Sequence, residues 1–176
     1  MLGAIIGDIV GSRWEFFSTN DYNFELFSDK NDFTDDTICT IAVADAIMHQ
    51  KSYGAALHEW CRRYPNPMGS YGGSFNAWVR SDEPQPYGSY GNGAAMRVSA
   101  IGWAFADEES VLANAEQSAV CTHNHPEGVK GAQTVALAIH LALKLRRCHQ
   151  GEPVLHGEMM EKVIAPSEAT AADYLS

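Results

Sequence analysis

Basic residues are scarce in this sequence: 12 Lys and Arg stand against 22 Asp and Glu, which gives a formal net charge of −10. Proteins that bind nucleic acid without sequence preference neutralise its phosphates with an excess of basic side chains. The deficit therefore excludes non-specific nucleic-acid binding.

Long hydrophobic runs are also missing, since no stretch reaches the roughly 18–20 apolar residues that a membrane span needs. No basic segment precedes the first apolar stretch, and Asp8 interrupts that stretch, so the pattern of a secretory signal is absent. We therefore expect a cytoplasmic protein with no membrane partner. None of the four cysteines belongs to a C-x-x-C pair, so we expect reduced, buried thiols at Cys39, Cys61, Cys121 and Cys148.

No segment alternates cleanly between apolar and polar residues, so strands are hard to place. Apolar residues instead recur at helical spacing, and Gly, Pro and Asn separate the helical segments. We predict one all-α domain over residues 1–176, with a first helix apolar enough to be buried. The predicted helices are 2–10, 35–50, 55–64, 75–80, 94–106, 108–120 and 126–148, with a weaker signal over 156–164.

Two adjacent carboxylates, Asp35 and Asp36, lie between two hydroxyls, Thr34 and Thr37, at the start of a predicted helix. Oxygen donors of this kind suit Mg²⁺ or Mn²⁺. A purely structural role is also open, because Thr34 is a good N-cap and carboxylates in a first turn are stabilised by the helix dipole.

The first predicted helix contains Gly7 and Gly11 one turn apart, which indicates close approach by another helix or by a ligand. Asp8 lies in this apolar helix and needs a partner there. Glu15 follows at the helix exit, where it is either functional or simply solvated.

Two glycine-rich loops each precede a predicted helix, the first over 69–74 and the second over 88–93. Free backbone N–H groups at a helix start can bind a phosphate, although plain turns explain each loop as well. A chain with a net charge of −10 would bind phosphate through backbone donors and a metal ion, not through a lysine cluster.

Cys121, His123 and His125 could together suggest zinc, but their spacing does not match that of structural zinc sites. Pro126 sits where a helix often begins, so this segment also reads as a helix entry lined with polar side chains.

Four segments in this order resemble the ADP-ribosylglycohydrolase family. Gly3 to Glu15 is similar to the family's opening G-x-x-x-G-D-x-x-G-x-x-x-E, and Thr34 to Thr37 to its T-D-D-T metal motif. Residues 91–97 are similar to its G-N-G-x-x-M-R segment, and residues 122–126 to its T-H-x-H-P segment. The resemblance runs from residue 1 to about residue 165.

The resemblance implies an all-α orthogonal helical bundle with a two-metal centre in a cleft, holding Mg²⁺ or Mn²⁺. It implies that Thr34, Asp35 and Asp36 ligate metal, and that Asp35, Asp36 and Glu15 are the candidate catalytic residues. The implied substrate-binding residues are Gly72, Gly73, Tyr90, Gly91, Asn92, Gly93, His123 and His125. Between the two histidines, the resemblance does not decide which one lies nearer the adenosine.

One motif of the family is missing: no D-x-D-T segment, the second metal motif, occurs in the chain. We therefore expect the N-terminal two-thirds of the family fold, an incomplete bundle that a complementing chain or a second copy would complete.

The resemblance implies a metal-dependent hydrolase that removes ADP-ribose from modified proteins or small ADP-ribosylated substrates. Because half of the metal ligands are missing, we expect little hydrolysis by these 176 residues alone. The alternative is a catalytically silent relative that binds ADP-ribose or serves a structural role.

Overall fold

A computed structural model describes residues 1–148, and within that range the chain forms seven α-helices, two 3₁₀ turns and no strand. The all-α prediction is therefore confirmed for the described part of the chain. The predicted helix over 156–164 lies outside the described residues. The helices are α1 (Leu2–Gly11), α2 (Asp35–His49), α3 (Tyr53–Arg63), α4 (Gly73–Arg80), α5 (Ser99–Ala104), α6 (Glu108–Val120) and α7 (Pro126–Cys148).

The predicted helix over 94–106 is wrong in its first half. A 3₁₀ turn covers Asn92–Ala94, further turns follow, and α5 begins only at Ser99. The backbone N–H groups of residues 95 and 96 both donate to the carbonyl of Asn92, which closes a tight turn. This turn points the side chain of Arg97 inward, where it is only 1% exposed. The sequence pattern over 94–106 contains no sign of this buried side chain, which is why it predicts a single helix.

Helix α2 lies at the centre of the described bundle and packs against α1, α3 and α5, while α7 packs against α5 and α6. The core contains many alanines that are fully buried, among them Ala42, Ala56, Ala115 and Ala132. Small side chains let helix axes approach closely, so the bundle is held by tight backbone packing as much as by large apolar groups.

Helix α1 differs from the prediction of a buried first helix, because none of its residues is buried in the described structure. Leu2 is 73% exposed and Ile6 is 50% exposed. One side of α1 packs against α2, and an apolar groove of about 480 Å³ opens beside it, between Leu2, Met48 and Trp103. A helix with apolar residues on all its faces is expected to be buried on every side, but in the described residues only one face of α1 packs against another helix, α2.

No helix in residues 1–148 combines the length and the hydropathy that crossing a membrane requires.

The contact between α5 and α7 provides a test of the tight packing. A Cβ at Gly102 would lie 2.7 Å from the Ala136 carbonyl oxygen and 2.7 Å from Ile139 Cγ2. We expect Gly102→Ala to lower the free energy of unfolding by about 1–3 kcal/mol, measured by urea denaturation, because the helices must separate. Gly131→Ala is the matched control, since the nearest atom to its Cβ is 4.0 Å away and alanine favours a helix. Equal effects of the two substitutions would contradict this packing argument.

Candidate functional site

Asp8 of α1 binds the first turn of α2. Its Oδ2 accepts from the Thr34 backbone N–H at 2.9 Å, from the Thr37 N–H at 3.3 Å and from the Thr37 hydroxyl at 2.5 Å. Its Oδ1 accepts from the Thr34 hydroxyl at 2.6 Å. The Thr34 Oγ1 in turn accepts from the backbone N–H of Asp36 at 3.2 Å, which is the predicted N-cap. These bonds identify the partner that Asp8 needs and fix the start of α2 against α1.

The two carboxylates that follow Thr34 lie in a strongly acidic environment. Burial raises the pKa of Asp35 to about 6, with further contributions from the charges of Asp36, Glu15 and Asp8. The pKa of Asp36 is also raised, first by burial and then by Asp8 and Glu15. Within residues 1–148 none of these four carboxylates forms an ion pair with Lys or Arg. The start of α2 therefore carries a negative charge that a bound cation would neutralise.

The carboxylates of Asp8, Glu15, Asp35 and Asp36 form one acidic group, and the loop that follows α3 contacts Glu15. Gly69 has a φ of +78°, a left-handed conformation that favours glycine, and it lies against the end of the flexible Glu15 side chain. A single parallel bridge between Thr34 and Met68 joins the same loop to the start of α2. The loop thus links Glu15 to the two aspartates.

A cavity of about 250 Å³ lies between the start of α2, the start of α4 and the loop that precedes α5. It brings together seven of the residues singled out from the sequence. These are Asp35, Gly72, Gly73, Gly91, Asn92, Gly93 and His123.

Five other predicted site residues do not line this cavity: Thr34, Asp36, Glu15, Tyr90 and His125. The first three belong to the acidic group at the start of α2. The Tyr90 ring is 75% exposed and its centroid lies 5.4 Å from that of His125. The His125 Nδ1 accepts from the backbone N–H of Glu127 at 3.2 Å. Only His123 of the two histidines therefore faces the cavity.

A zinc cluster does not form in the described part of the chain. In residues 1–148 no three side chains of His, Cys, Asp or Glu are placed to hold a metal ion together. The Cys121 thiol instead donates to the Ser118 carbonyl at 3.3 Å, and burial raises the pKa of that thiol.

Sequence reasoning placed Arg97 and Thr122 in two family segments but assigned neither of them a role in the site. Arg97 lines the cavity, and Thr122 is fully buried between Arg97 and His123. The Arg97 Nη2 donates to the Ser118 carbonyl at 2.6 Å and to the Thr122 Oγ1 at 2.9 Å. Burial and then the charge of Arg97 lower the pKa of His123 to about 4, so its ring is neutral at pH 7. The available signal was a lone arginine inside an apolar stretch, where a charged side chain needs partners.

The raised pKa of Asp35 predicts a pH-dependent stability of the metal-free protein. The folded state binds the Asp35 proton more tightly than the unfolded state, so this stabilisation is present at low pH and is lost as the pH rises through about 6. When the pH rises from 5 to 7.5, the free energy of unfolding of Asp35→Asn should therefore increase relative to that of the wild type by about 1 kcal/mol, a figure reduced for solvent screening. Urea denaturation in a chelator measures the difference.

Asp107→Asn serves as the control whose effect should not change with pH. Hydrogen bonds from Ser110 lower the pKa of Asp107 below its ordinary value of 3.8, so this carboxyl is ionised in the folded and unfolded states throughout pH 5 to 7.5. A difference between Asp35→Asn and the wild type that did not change with pH would contradict the acidic environment described above.

Comparison with known proteins relates this chain to one family and to relatives that share one name. The profile of the ADP-ribosylglycohydrolase family matches residues 1–174. The chain is 29% identical over 177 residues to "ADP-ribosylhydrolase ARH3" of Homo sapiens, a match that covers 82% of this chain and 49% of that protein. It is 43% identical over 86 residues to the Gallus gallus protein of the same name, which covers 49% of this chain and 22% of that protein. With Danio rerio ARH3 it is 25% identical over 201 residues, which covers 98% of this chain and 53% of that protein.

The chain spans about half the length of the curated relatives that it matches. The family match nevertheless covers the acidic start of α2, both glycine segments and His123. From the match over residues 1–174 we conclude that the chain belongs to the ADP-ribosylglycohydrolase family.

Proposed function

We propose that this chain binds ADP-ribose in the cavity of about 250 Å³ and removes it from modified proteins or small ADP-ribosylated molecules. The observation that carries the proposal is that one cavity joins Asp35 to both glycine segments and to His123. Membership of the family supports the same activity class.

The glycine segments supply the phosphate-binding part of the proposal. Gly72 caps α4 and Gly73 begins it, and a Cβ at either position would meet no atom within 4 Å. These two residues therefore leave open space for a ligand beside free backbone N–H groups. No lysine lines the cavity, and the arginine that lines it, Arg97, is 1% exposed and bonded to Ser118 and Thr122, so backbone donors are the suitable partners for a diphosphate.

Thr34, Asp35 and Asp36 are the residues that would hold Mg²⁺ or Mn²⁺. The donor set fits a hard cation, because two half-buried carboxylates lie in an uncompensated acidic group and Mg²⁺ is commonly bound by one or two carboxylates with water and substrate oxygens. When bound, such an ion orients ribose hydroxyls and polarises water.

Cleavage at the anomeric carbon passes through an oxocarbenium-like state, and a carboxylate near that carbon can take a proton from the attacking water. Asp35 or Asp36 would serve as this base. Glu15, held against Gly69 at the edge of the acidic group, would serve as an alternative acid or as a gate.

A second candidate function is ADP-ribose binding without hydrolysis. It is favoured by one observation, that no three carboxylate, histidine or cysteine side chains in residues 1–148 are placed to hold a metal ion together. A complementing chain or a second copy would be the partner that completes the site.

Ligand binding is tested by isothermal calorimetry with ADP-ribose. A Cβ at Gly93 would lie 3.0 Å from the His123 ring, so Gly93→Val should fill the cavity and lower affinity at least tenfold. Lys130→Ala removes a positive charge that does not line the cavity and should leave affinity within about twofold. A larger loss with Lys130→Ala than with Gly93→Val would contradict binding in this cavity.

Turnover separates the two candidate functions. With Mg²⁺ or Mn²⁺ present, we expect weak release of ADP-ribose from ADP-ribosylated arginine or serine, and its loss in Asp35→Asn. Chromatographic detection of free ADP-ribose measures both. Binding without any turnover by the wild type would favour the silent alternative, and equal turnover by Asp35→Asn would contradict the role of Asp35.

A further inference from the structure

The guanidinium of Arg97 is a buried cation without a carboxylate partner in the described part of the chain. Its side chain is 1% exposed, and no Asp or Glu of residues 1–148 forms an ion pair with it. Its Nη2 instead donates to the Ser118 carbonyl and to the Thr122 hydroxyl oxygen. A buried charge is costly unless its surroundings satisfy it, and Arg97 lines the cavity, so the bonds that it makes bear directly on the site.

The Thr122 hydroxyl connects Arg97 to His123. Its oxygen accepts from Arg97 at 2.9 Å and lies 2.7 Å from the His123 Nδ1. Arginine has donors only, so the hydroxyl oxygen must be the acceptor in the first contact. The single hydroxyl hydrogen then remains available for the second.

Two arrangements of that hydrogen are conceivable, and the geometry favours one. The hydroxyl can donate to the His123 Nδ1 at 2.7 Å, or it can donate to the Ala119 carbonyl at 3.4 Å while Nδ1–H donates to it. The Ala119 carbonyl already accepts the backbone N–H groups of Thr122 at 3.0 Å and His123 at 2.8 Å. A cation on the hydroxyl oxygen also makes the hydroxyl a stronger donor. The geometry therefore favours donation from the hydroxyl to Nδ1, because the other arrangement leaves the hydroxyl hydrogen on a carbonyl that is 3.4 Å away and already accepts two bonds.

The other ring nitrogen of His123 faces the cavity. Its Nε2 lies 3.0 Å from the position of a Cβ at Gly93 and 4.0 Å from that of a Cβ at Gly91. Both glycines line the cavity together with His123. When Nδ1 accepts from Thr122, a neutral imidazole carries its hydrogen on Nε2.

We propose that Arg97 and Thr122 are positioning residues that hold His123 as its Nε2–H tautomer, so that the ring presents a neutral donor to an oxygen of the ligand. The assignment of that ligand as ADP-ribose rests on the proposed function. The tautomer itself follows from the hydrogen-bonding geometry alone, so the two parts can fail separately.

The tautomer is measured directly by long-range ¹H–¹⁵N correlation NMR of the histidine side chains, with His123→Gln used to assign the signals. We expect the Nε2–H form in the wild-type protein. An Nδ1–H form in the wild type overturns the proposal, whether or not any variant folds. Thr122→Val keeps the side-chain shape but removes the hydroxyl, so the Nε2–H form should no longer be the single tautomer.

Binding of ADP-ribose supplies the second measurement. We expect Thr122→Val to lower affinity about tenfold, the effect of one hydrogen bond, and Thr122→Ser to restore affinity to within about twofold of the wild type. Ser118→Ala is the matched control, because it removes a buried hydroxyl that bonds within its own helix to Ala115 and leaves its backbone carbonyl for Arg97.

The outcomes separate the two parts of the inference. If Thr122→Val changes the tautomer and lowers affinity while Thr122→Ser and Ser118→Ala do not, the proposal is supported. If Thr122→Val leaves the tautomer unchanged, the positioning role is overturned. If the tautomer behaves as expected but the wild type does not bind ADP-ribose, the proposed function fails and the positioning role of Arg97 and Thr122 stands.

Discussion

The bonds that Asp8 makes to Thr34 and Thr37 are the interaction on which the candidate site depends. They join α1 to the first turn of α2 through both oxygens of one carboxylate. With Asp8 occupied in this way, Asp35 and Asp36 are left without a bond to it and face each other's charge in a half-buried position. Asp8 thus acts as a structural anchor, and under the proposed function Asp35 and Asp36 carry the chemistry. The exposed glycine loop at Gly69 then adds Glu15 to the same group.

The cavity beside the acidic group is lined by side chains of opposite charge. Asp35 and the buried cation of Arg97 both line it, together with His123 and the Gly91–Gly93 segment. The two charges do not form an ion pair, so each contributes its own field to the cavity. Under the proposed function, the diphosphate would lie along the glycine segments, and the scissile ribose would lie near Asp35. The fold thereby gives a ligand of low symmetry one preferred orientation.

The sequence allowed the helices and most of the cavity residues to be predicted, because their signals are local. The pattern Thr34, Asp35 and Asp36 predicts a helix start whether the helix is buried or exposed, and Pro126 predicts another helix start. What could not be predicted depends on tertiary contacts. The inward turn at Arg97 requires the carbonyl of Ser118 from a distant helix, and the open face of α1 depends on which neighbours are present. Neither contact leaves a periodic pattern in the sequence, and for the same reason the pairing of Tyr90 with His125 outside the cavity was not foreseen.

The exposed face of α1 also affects how often the site comes apart. A helix with no buried residue has little apolar contact to hold it, so its local opening free energy is low compared with that of α2. Each opening of α1 withdraws Asp8 from Thr34 and Thr37, and the first turn of α2 then loses its anchor while the rest of α2 stays folded. Whatever covers the groove between Leu2 and Trp103 would slow hydrogen exchange at the start of α2, toward the other end of α1, without touching the site.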